Sequence, residues 1–465
     1  MLSLGAALPL VTWGTELLKA IAPGNIPRLN EARVDWLVAM YLIGIALLSA
    51  FVAGLAPALH TIRIDPNDAL KENNPGAGGS RKRLRHILVI SEIALAFILL
   101  SAAGLMMRTL WNLSRVQPGF EAEQVLTMPI SVSPLQLQNR TSPRFMKDLV
   151  EQIRALPGVT DVGMISHLPL GAADARTAIE VEGFTPNPGE PARAHPRFAT
   201  PGYFNAMRIR LLEGRLPTER DAEPNAPPVL VVNRTAALRY WAGTTPIGKR
   251  MRILGAWREV IGIVADVKFW GLAARLDPEA YIPAFGNPSN LVVRAQGDLP
   301  AIASTIRTRV RELDANLPIS TIRPMSDMVE QSIASPKFFL ILLVIFGVMA
   351  VVLASAGIYG VISYTVMQNT REIGVKIALG ADPLAVLRSV LRQGLVLALI
   401  SLAIGIPSAI GLTRLMGSLL FGVTPADPLT FIIVGPVTIA IALLACYLPA
   451  RRAASVDPIV ALRYQ

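Results

Sequence analysis

The sequence predicts an α-helical polytopic membrane protein with about six spans and a large extracytoplasmic α/β domain. Three observations lead to this fold class: the composition is apolar, long uncharged runs recur, and one long polar stretch separates them. Apolar residues make up 52% of the chain and charged residues only 17%, against about 25% charged residues in soluble domains. The mean hydropathy of +0.47 therefore indicates that much of the chain is suited to lipid.

Six segments are long and apolar enough to cross the roughly 30 Å hydrocarbon core of a bilayer. Four of them carry no charge, and the third carries only Glu92. The first segment lacks the basic start and the cleavage site of a signal peptide, which favours a span. The predicted spans are 1–22, 36–59, 86–107, 338–370, 393–413 and 428–450.

An internal repeat relates the two ends of the chain at a constant offset of 392 residues. Pro57-Ala58, Asp65-Pro66 and Ala69-Leu70 recur as Pro449-Ala450, Asp457-Pro458 and Ala461-Leu462, and Asp35 corresponds to Asp427. Duplicated membrane units are common in transporters. We interpret 1–72 as the last two spans and the cytoplasmic tail of a first repeat, and 73–84 as a basic flexible linker. Because the rest of the first repeat is missing, we expect the chain to be an N-terminally truncated form of a longer duplicated protein.

The net charge of +11 is explained by membrane topology and not by nucleic acid. Thirteen Lys and Arg residues lie in 59–85, 371–392 and 450–465, whereas 22–35 and 417–429 together hold two. This asymmetry follows the positive-inside rule. Both termini are therefore predicted in the cytoplasm and 111–336 outside it. The single cysteine excludes a disulfide framework, and the four scattered histidines fit no metal-ligand spacing.

The polar stretch 111–336 has α/β character. Apolar residues recur at helical spacing after Pro143 and again within Leu299–Leu313, and each helix lies between two strand-like runs. Two βαβ-like units that flank an insertion indicate a small α/β porter-type module with a β-rich subdomain. The predicted strands are Val125–Val132, Val159–Ser166, Ala178–Val181, Val229–Val232, Val260–Val264, Leu291–Ala295 and Ile319–Ile322.

The sharpest local pattern lies between the fourth and fifth spans, from Arg371 to Pro383. It reads Arg-Glu-Ile-Gly-Val-Lys-Ile-Ala-Leu-Gly-Ala-Asp-Pro. Gly380 suits the end of a helix, and Asp382 suits the cap of the next one. An amphipathic helical hairpin is predicted at 371–391, just inside the membrane. The pattern alone favours a plain interfacial anchor over a functional surface.

The motif Arg-Glu-Ile-Gly-x-x-x-Ala-Leu-Gly-Ala after a membrane helix resembles the coupling segment of MacB/FtsX-type ABC transporter permeases. The order of elements also resembles that family: a first span at 85–110, a MacB-like α/β domain at 111–336 and an FtsX-like three-span domain at 337–465. Three outer motifs are similar too: Pro-Gly-Tyr-Phe at 201–204, Leu-Glu-Gly-Arg at 212–215, and Pro-Ile-Gly-Lys-Arg at 246–250. Together with the repeat, they resemble the duplicated orphan permease subgroup.

The resemblance implies a membrane subunit of a mechanotransmission transporter in the bacterial inner membrane. A separate cytoplasmic ABC ATPase would bind ATP and Mg²⁺, and this chain would export drugs, peptides or lipoproteins without being an enzyme itself. Further partners are membrane lipid, a second permease unit (a homodimer or the missing first repeat) and a periplasmic adaptor. The residues implied in ATPase coupling are Arg371, Glu372, Gly374, Lys376, Ala378, Leu379 and Gly380.

Two other functions fit the same architecture. One is a lipoprotein-release permease, which enrichment of a purified complex for lipoproteins would distinguish. The other is a non-transport regulator whose outer domain activates an extracytoplasmic enzyme, as FtsX does. The size of 111–336 disfavours the regulator.

Two further features invite a functional interpretation. Glu92 is an intramembrane acid, which is costly in lipid and by default suggests function; a bond to a neighbouring helix is the simpler interpretation. Residues 243–250 nearly spell a P-loop, but Arg250 stands where the Ser or Thr that binds Mg²⁺ is required. We therefore predict an ordinary loop of the outer domain at 243–250.

Overall fold

The computed structural model describes residues 12–16, 19, 35–38, 40, 41, 43–48, 51, 77–130, 143–171, 176–285, 289–314, 317, 321–370, 375, 379 and 382–454. The chain divides into two compact units. The α/β unit is Leu113–Ile333, and the membrane unit consists of Met1–Asn112 and Ala334–Gln465.

The strands of the α/β unit are interspersed with short helices, and the long helices precede and follow it in the chain. The helices are α1 (Ala77–Ser114), α2 (Pro143–Arg154), α3 (Gly202–Ala206), α4 (Arg234–Tyr240), α5 (Leu299–Leu313), α6 (Met325–Gln368), α7 (Pro383–Leu415) and α8 (Pro428–Ala454). The strands are β1 (Val125–Pro129), β2 (Val159–Ile165), β3 (Thr177–Ala178), β4 (Glu180–Val181), β5 (Arg193–Ala199), β6 (Leu211–Gly214), β7 (Val229–Asn233), β8 (Arg250–Ile253), β9 (Ala256–Val264), β10 (Glu279–Pro283), β11 (Asn290–Ala295) and β12 (Arg323–Pro324).

One half of the α/β unit holds four antiparallel strands in the order β12-β1-β11-β2, which form one end of a 12-stranded sheet that continues from β2 to β5. Each βαβ connection skips one strand, which is the split βαβ arrangement. Helices α2 and α5 place Leu149, Ile153, Ile306 and Val310 in one apolar core with the sheet, since their apolar positions recur every three or four residues. The two predicted βαβ-like units are confirmed in this half.

The other half is a β-rich subdomain inserted between β2 and β11. Its strands follow the order β5-β10-β7-β9-β8-β4, and β3 pairs with β5. Only Ile179 separates β3 from β4 in the chain, so the path of strands returns to its start and encloses a core. The core includes Leu230, Val232, Met251 and Val260.

The predicted strands agree with the structure except at the end of the second βαβ unit. Half of the strand expected at Ile319–Ile322 lies outside the described residues, and the residues that pair with β1 are Arg323–Pro324. Strands β5, β6, β8 and β10 were not predicted. All four are short and carry at least one charged residue, which obscures the alternation of apolar and polar positions.

Four helices of the membrane unit are long and apolar enough to cross a bilayer: Arg83–Ser114 within α1, α6, Leu384–Leu415 within α7, and α8. These four correspond to the third to sixth predicted spans. The first two predicted spans lie largely outside the described residues, apart from the apolar helix Trp36–Leu48, and they stay a prediction.

The long helices approach one another closely at glycines. A Cβ built at Gly394 of α7 would overlap Cys446 Sγ of α8, and a Cβ at Gly104 of α1 would lie 2.9 Å from the Thr430 methyl group. Small residues permit such close contact between membrane helices. The shared core includes Val89, Ile93, Ala354, Ile358 and Ala442, which places α1 against α6 and α8.

Candidate coupling site

Helix α7 begins as its sequence predicts. Asp382 Oδ1 accepts a hydrogen bond from Leu384 N–H at 3.0 Å, and Pro383 occupies the first position of the helix. Asp and Pro suit these two positions because the carboxylate satisfies a free backbone N–H and proline has the φ of a helix. The start of the second hairpin helix is confirmed at the predicted residue.

The sequence predicts an apolar face of Leu384, Leu387, Val390 and Leu391 on this helix, and the structure confirms it in part. Val390 is buried, and Leu387 and Leu391 pack against the shared helix core. Leu384 is 54% exposed, so it lies off that buried face. Val386, which the prediction omitted, is buried in its place.

Most residues predicted to contact an ATPase lie outside the described part of the chain. This applies to Arg371, Glu372, Gly374, Lys376, Ala378 and Gly380. Leu379 is described: it is 83% exposed, and its N–H donates to the carbonyl of Val375 at 3.0 Å. The coupling role of the whole set stays a prediction.

Two tyrosines of α6 join its carboxyl end to neighbouring helices. Arg452 of α8 donates to the Tyr359 hydroxyl at 2.8 Å. The Arg85 guanidinium of α1 lies over the Tyr364 ring, 4.0 Å from its centroid. A cation over an aromatic face is attracted to the ring, so the end of α6 that precedes the coupling segment is linked to both α1 and α8. The sequence reasoning missed these tyrosines, although each lies close to the start of a basic loop.

Glu92 lies on α1 against a notch in α6. A Cβ at Gly357 would overlap Glu92 Oε2, and this buried oxygen has no hydrogen-bond partner within the described residues. The structure places Glu92 beside the neighbouring helix, as the simpler interpretation expected. It does not supply the hydrogen bond that this interpretation implied.

The opposite ends of these helices are joined by a polar cluster. Arg108 of α1 forms an ion pair with Asp427, which also accepts from the Thr430 N–H at 3.0 Å. Asn112 donates to the carbonyl of Gly422 at 3.1 Å. The cluster fixes the loop between α7 and α8 against the end of α1.

The repeat is visible in the hydrogen bonding. Asp427 accepts from the N–H of Thr430, and Asp35, its counterpart at offset 392, accepts from Val38 N–H at 3.0 Å. Both carboxylates therefore cap a helix in the same way, by accepting from the backbone N–H three residues later. The sequence correspondence extends to local structure at this pair.

The α/β unit contains a buried ion pair far from either sheet edge. Arg197 of β5 and Glu279 of β10 are 1% and 2% exposed, with Nε and Oε2 2.6 Å apart. The guanidinium also lies 4.0 Å from the centre of the Phe269 ring. Burial raises the pKa of the neighbouring Tyr203 and Tyr281 hydroxyls far above their usual range. Because both side chains are buried and packed against a hydrophobic core, we interpret the pair as a structural feature.

Residues 243–250 form a loop between α4 and β8. Lys249 Nζ donates to Thr244 Oγ1 at 2.9 Å, and Arg250 begins a strand. A P-loop is followed by a helix whose amino end faces the phosphates. The loop interpretation of this segment is confirmed.

Two family models match the chain, and between them they match parts of both units. The MacB-like periplasmic core domain matches residues 87–315. The FtsX-like permease C-terminal domain matches residues 344–458. Their order along the chain is the one expected from the sequence motifs.

Individual relatives agree with these models. The macrolide export ATP-binding/permease protein MacB of Marinobacter nauticus is 25% identical over 271 residues, 55% of this chain and 41% of the relative. The ABC transporter permease YknZ of Bacillus subtilis is 26% identical over 277 residues, 57% of this chain and 68% of the relative. The chain thus spans about two fifths of the length of this MacB relative.

Among solved structures, the periplasmic region of MacB from Actinobacillus actinomycetemcomitans matches this chain, and the match covers 48% of this chain and 97% of the solved one. Its TM-score is 0.34 at 15% identity. The family models and the relatives carry the assignment. The chain belongs to the MacB/FtsX-type ABC transporter permeases, with a MacB-like periplasmic core domain followed by an FtsX-like permease C-terminal domain.

Proposed function

We propose that the chain is the permease subunit of an ABC-type mechanotransmission transporter in the bacterial inner membrane. A separate cytoplasmic ATPase would act on the segment 371–380, and the α/β unit would work on the extracytoplasmic side. The single observation that carries this proposal is the family membership, because it pairs a MacB-like periplasmic domain with an FtsX-like permease domain. The relatives named for ATP binding as well as permease activity support an ATPase partner.

The length of α6 supports a mechanical role. It has 44 residues, about 66 Å at 1.5 Å per residue, which exceeds the roughly 30 Å bilayer core. Residues 325–333 of this helix belong to the α/β unit and 334–368 to the membrane unit. A single helix thus begins in the proposed working domain and ends just before the proposed coupling segment.

The contacts at the end of α6 support transmission to other helices. Tyr359 and Tyr364 join α6 to Arg452 of α8 and Arg85 of α1. A displacement of the coupling segment would therefore move three spans together. The substrates that we propose are drugs, peptides or lipoproteins. One relative, MacB of Marinobacter nauticus, is named for macrolide export. We propose that ATP and Mg²⁺ are bound by the partner and that this chain is not itself the ATPase.

The proposal is tested by two substitutions in the coupling segment, one that reverses a charge and one that replaces a glycine by proline. We expect Glu372→Arg combined with Gly380→Pro to abolish co-purification of an ABC ATPase, and the accompanying ATP hydrolysis, from native membranes. The charge reversal changes the docking face, and proline removes the freedom of glycine at a helix end. The matched control is Glu223→Arg, an equal charge reversal at an exposed position of the α/β unit.

Membrane insertion and thermal unfolding of the variant are measured in the same preparation, so that misfolding is separated from lost docking. An ATPase that co-purifies equally with the native chain and the folded variant would contradict the coupling role. Loss of the ATPase in the control as well would show that the effect is not specific to the segment.

A further inference from the structure

The basic residues at the inner ends of the helices fall into two groups. Arg85 and Arg452 are engaged by Tyr364 and Tyr359 inside the helix bundle. Arg388 and Arg392 of α7 are exposed, and no hydrogen bond or ion pair joins them to another side chain in the described part of the chain. Asp and Glu are absent from 383–426, so no carboxylate lies beside these arginines on their own helix.

These two arginines share a face with apolar residues. Arg388 and Arg392 are four residues apart, Val396 follows after four more and Leu399 after three, a spacing that keeps all four on one side of a helix. Val396 is 47% and Leu399 50% exposed, so no neighbouring helix in the described part of the chain covers the stripe. The opposite side of α7 packs into the bundle through Val390, Leu397 and Ala398.

The order of residues along the stripe matches the order of groups in a phospholipid. Two cations come first, near the amino end of the apolar span Leu384–Leu415, and the exposed apolar side chains follow further into the span. Arginines just inside a membrane attract the anionic headgroups of the inner leaflet. A protein partner would match the cations but not the exposed apolar turns that continue into the bilayer.

We propose that the face formed by Arg388, Arg392, Val396 and Leu399 binds an anionic phospholipid. The arginines contact the phosphate and the acidic headgroup, and the acyl chain lies along Val396 and Leu399. The commitment to lipid follows from charge complementarity combined with the apolar continuation of the same helix face. The inference does not depend on the proposed ATPase coupling.

The test measures lipid binding to the purified full chain in a neutral detergent by native mass spectrometry. The probes are phosphatidylglycerol, phosphatidylcholine with the same acyl chains, and inorganic phosphate. We expect phosphatidylglycerol to bind more tightly than phosphatidylcholine. The double variant Arg388→Gln with Arg392→Gln should weaken phosphatidylglycerol binding about 25-fold, the product of roughly five-fold per arginine near a charged surface.

The control variant removes two exposed cations from the opposite ends of membrane helices, through Arg414→Gln with Lys337→Gln. It should retain phosphatidylglycerol binding, and both variants should unfold at the temperature of the native chain in lipid-free detergent. Equal phosphatidylglycerol binding by the native chain and the Arg388/Arg392 variant would overturn the proposal. An equal loss of phosphatidylglycerol binding in the control variant would also overturn it. So would inorganic phosphate binding that by itself explains the whole difference in phosphatidylglycerol binding between the native chain and the Arg388/Arg392 variant.

One further outcome concerns a protein partner. If the Arg388/Arg392 variant loses the co-purifying ATPase but keeps native binding of phosphatidylglycerol, the face belongs to the protein interface and the lipid proposal fails.

Discussion

The two units of the chain satisfy their buried polar groups in different ways. In the α/β unit, polar contacts join separate elements: Arg197 reaches Glu279 on the next strand, and buried Arg294 donates to the carbonyls of Glu121, Glu123 and Ala206. In the membrane unit, three buried hydroxyls donate to a carbonyl of their own helix.

Three residues show the membrane pattern. Ser401, Thr413 and Thr438 each donate to the carbonyl four residues earlier, at 2.7, 2.7 and 2.9 Å. A helix in lipid must satisfy its polar groups internally because no water is available. The membrane unit is therefore joined mainly by close packing at glycines, with polar contacts at helix ends, whereas the α/β unit is joined by directional pairs. This difference predicts which substitutions each unit tolerates.

The largest effect is expected at the buried pair of the α/β unit. Glu279→Gln leaves the Arg197 charge buried without its carboxylate, which typically costs roughly 3–5 kcal/mol. Hydrogen exchange of the full chain, followed by mass spectrometry, should show lost protection in peptides that contain β5 and β10.

Two further variants sharpen this test. Replacing both partners, through Arg197→Met with Glu279→Leu, should restore much of the protection because no buried charge remains. Glu180→Gln breaks an exposed pair with Arg252, in which both side chains are about half exposed, and should cost no more than about 1 kcal/mol. Equal effects of the buried and exposed substitutions would refute the role assigned to the buried pair.

An intermediate effect is expected at the closest helix contact of the membrane unit. Gly394→Leu forces a side chain into Cys446, and such overpacking costs typically about 1–3 kcal/mol. The measurement is thermal unfolding of the purified chain in detergent. Gly411→Leu is the matched control on the same helix, because a Cβ there meets open space. If both substitutions lower the unfolding temperature equally, close packing at Gly394 does not hold α7 to α8.

The smallest effect is expected from an exposed polar cluster of the α/β unit at acidic pH. Hydrogen bonds from Arg215 at 2.7 and 2.9 Å, together with those from Thr218, hold the pKa of Asp221 well below its usual range. This carboxylate therefore contributes stability that is complete above its unfolded pKa near 3.9 and is lost as pH falls through the lower folded value. Arg215 is half exposed, so solvent screening keeps the contribution small.

The measurement compares the native chain with Asp221→Asn between about pH 5 and pH 2. The native chain should lose slightly more thermal stability on acidification, by a few degrees at most. Glu223→Gln, at an exposed neighbouring acid, serves as the control. A variant that loses as much stability as the native chain over this range would contradict the assignment.

Much of the architecture follows from local sequence. The four long apolar runs became the four described membrane helices, and helix Leu299–Leu313 has the predicted bounds. Asp382 caps α7 as expected. These features depend on hydropathy, on helical period and on the capping chemistry of single residues, which a chain carries regardless of its tertiary contacts. The segment most diagnostic of the family, 371–380, was also identified from sequence, and its coupling role stays a prediction.

The sequence by itself determined the membrane class, the two βαβ units, the repeat and the family motifs, because each is written in residues close together in the chain. Only the tertiary structure decided which distant residues meet. Arg197 finds Glu279 across two parallel strands, Glu92 faces Gly357, and Tyr359 receives Arg452. Such pairs have no local signature, since burial and strand register bring them together after the elements have formed. For the same reason, Arg388 and Arg392 could be distinguished from the other basic residues only once the structure had assigned partners to Arg85 and Arg452.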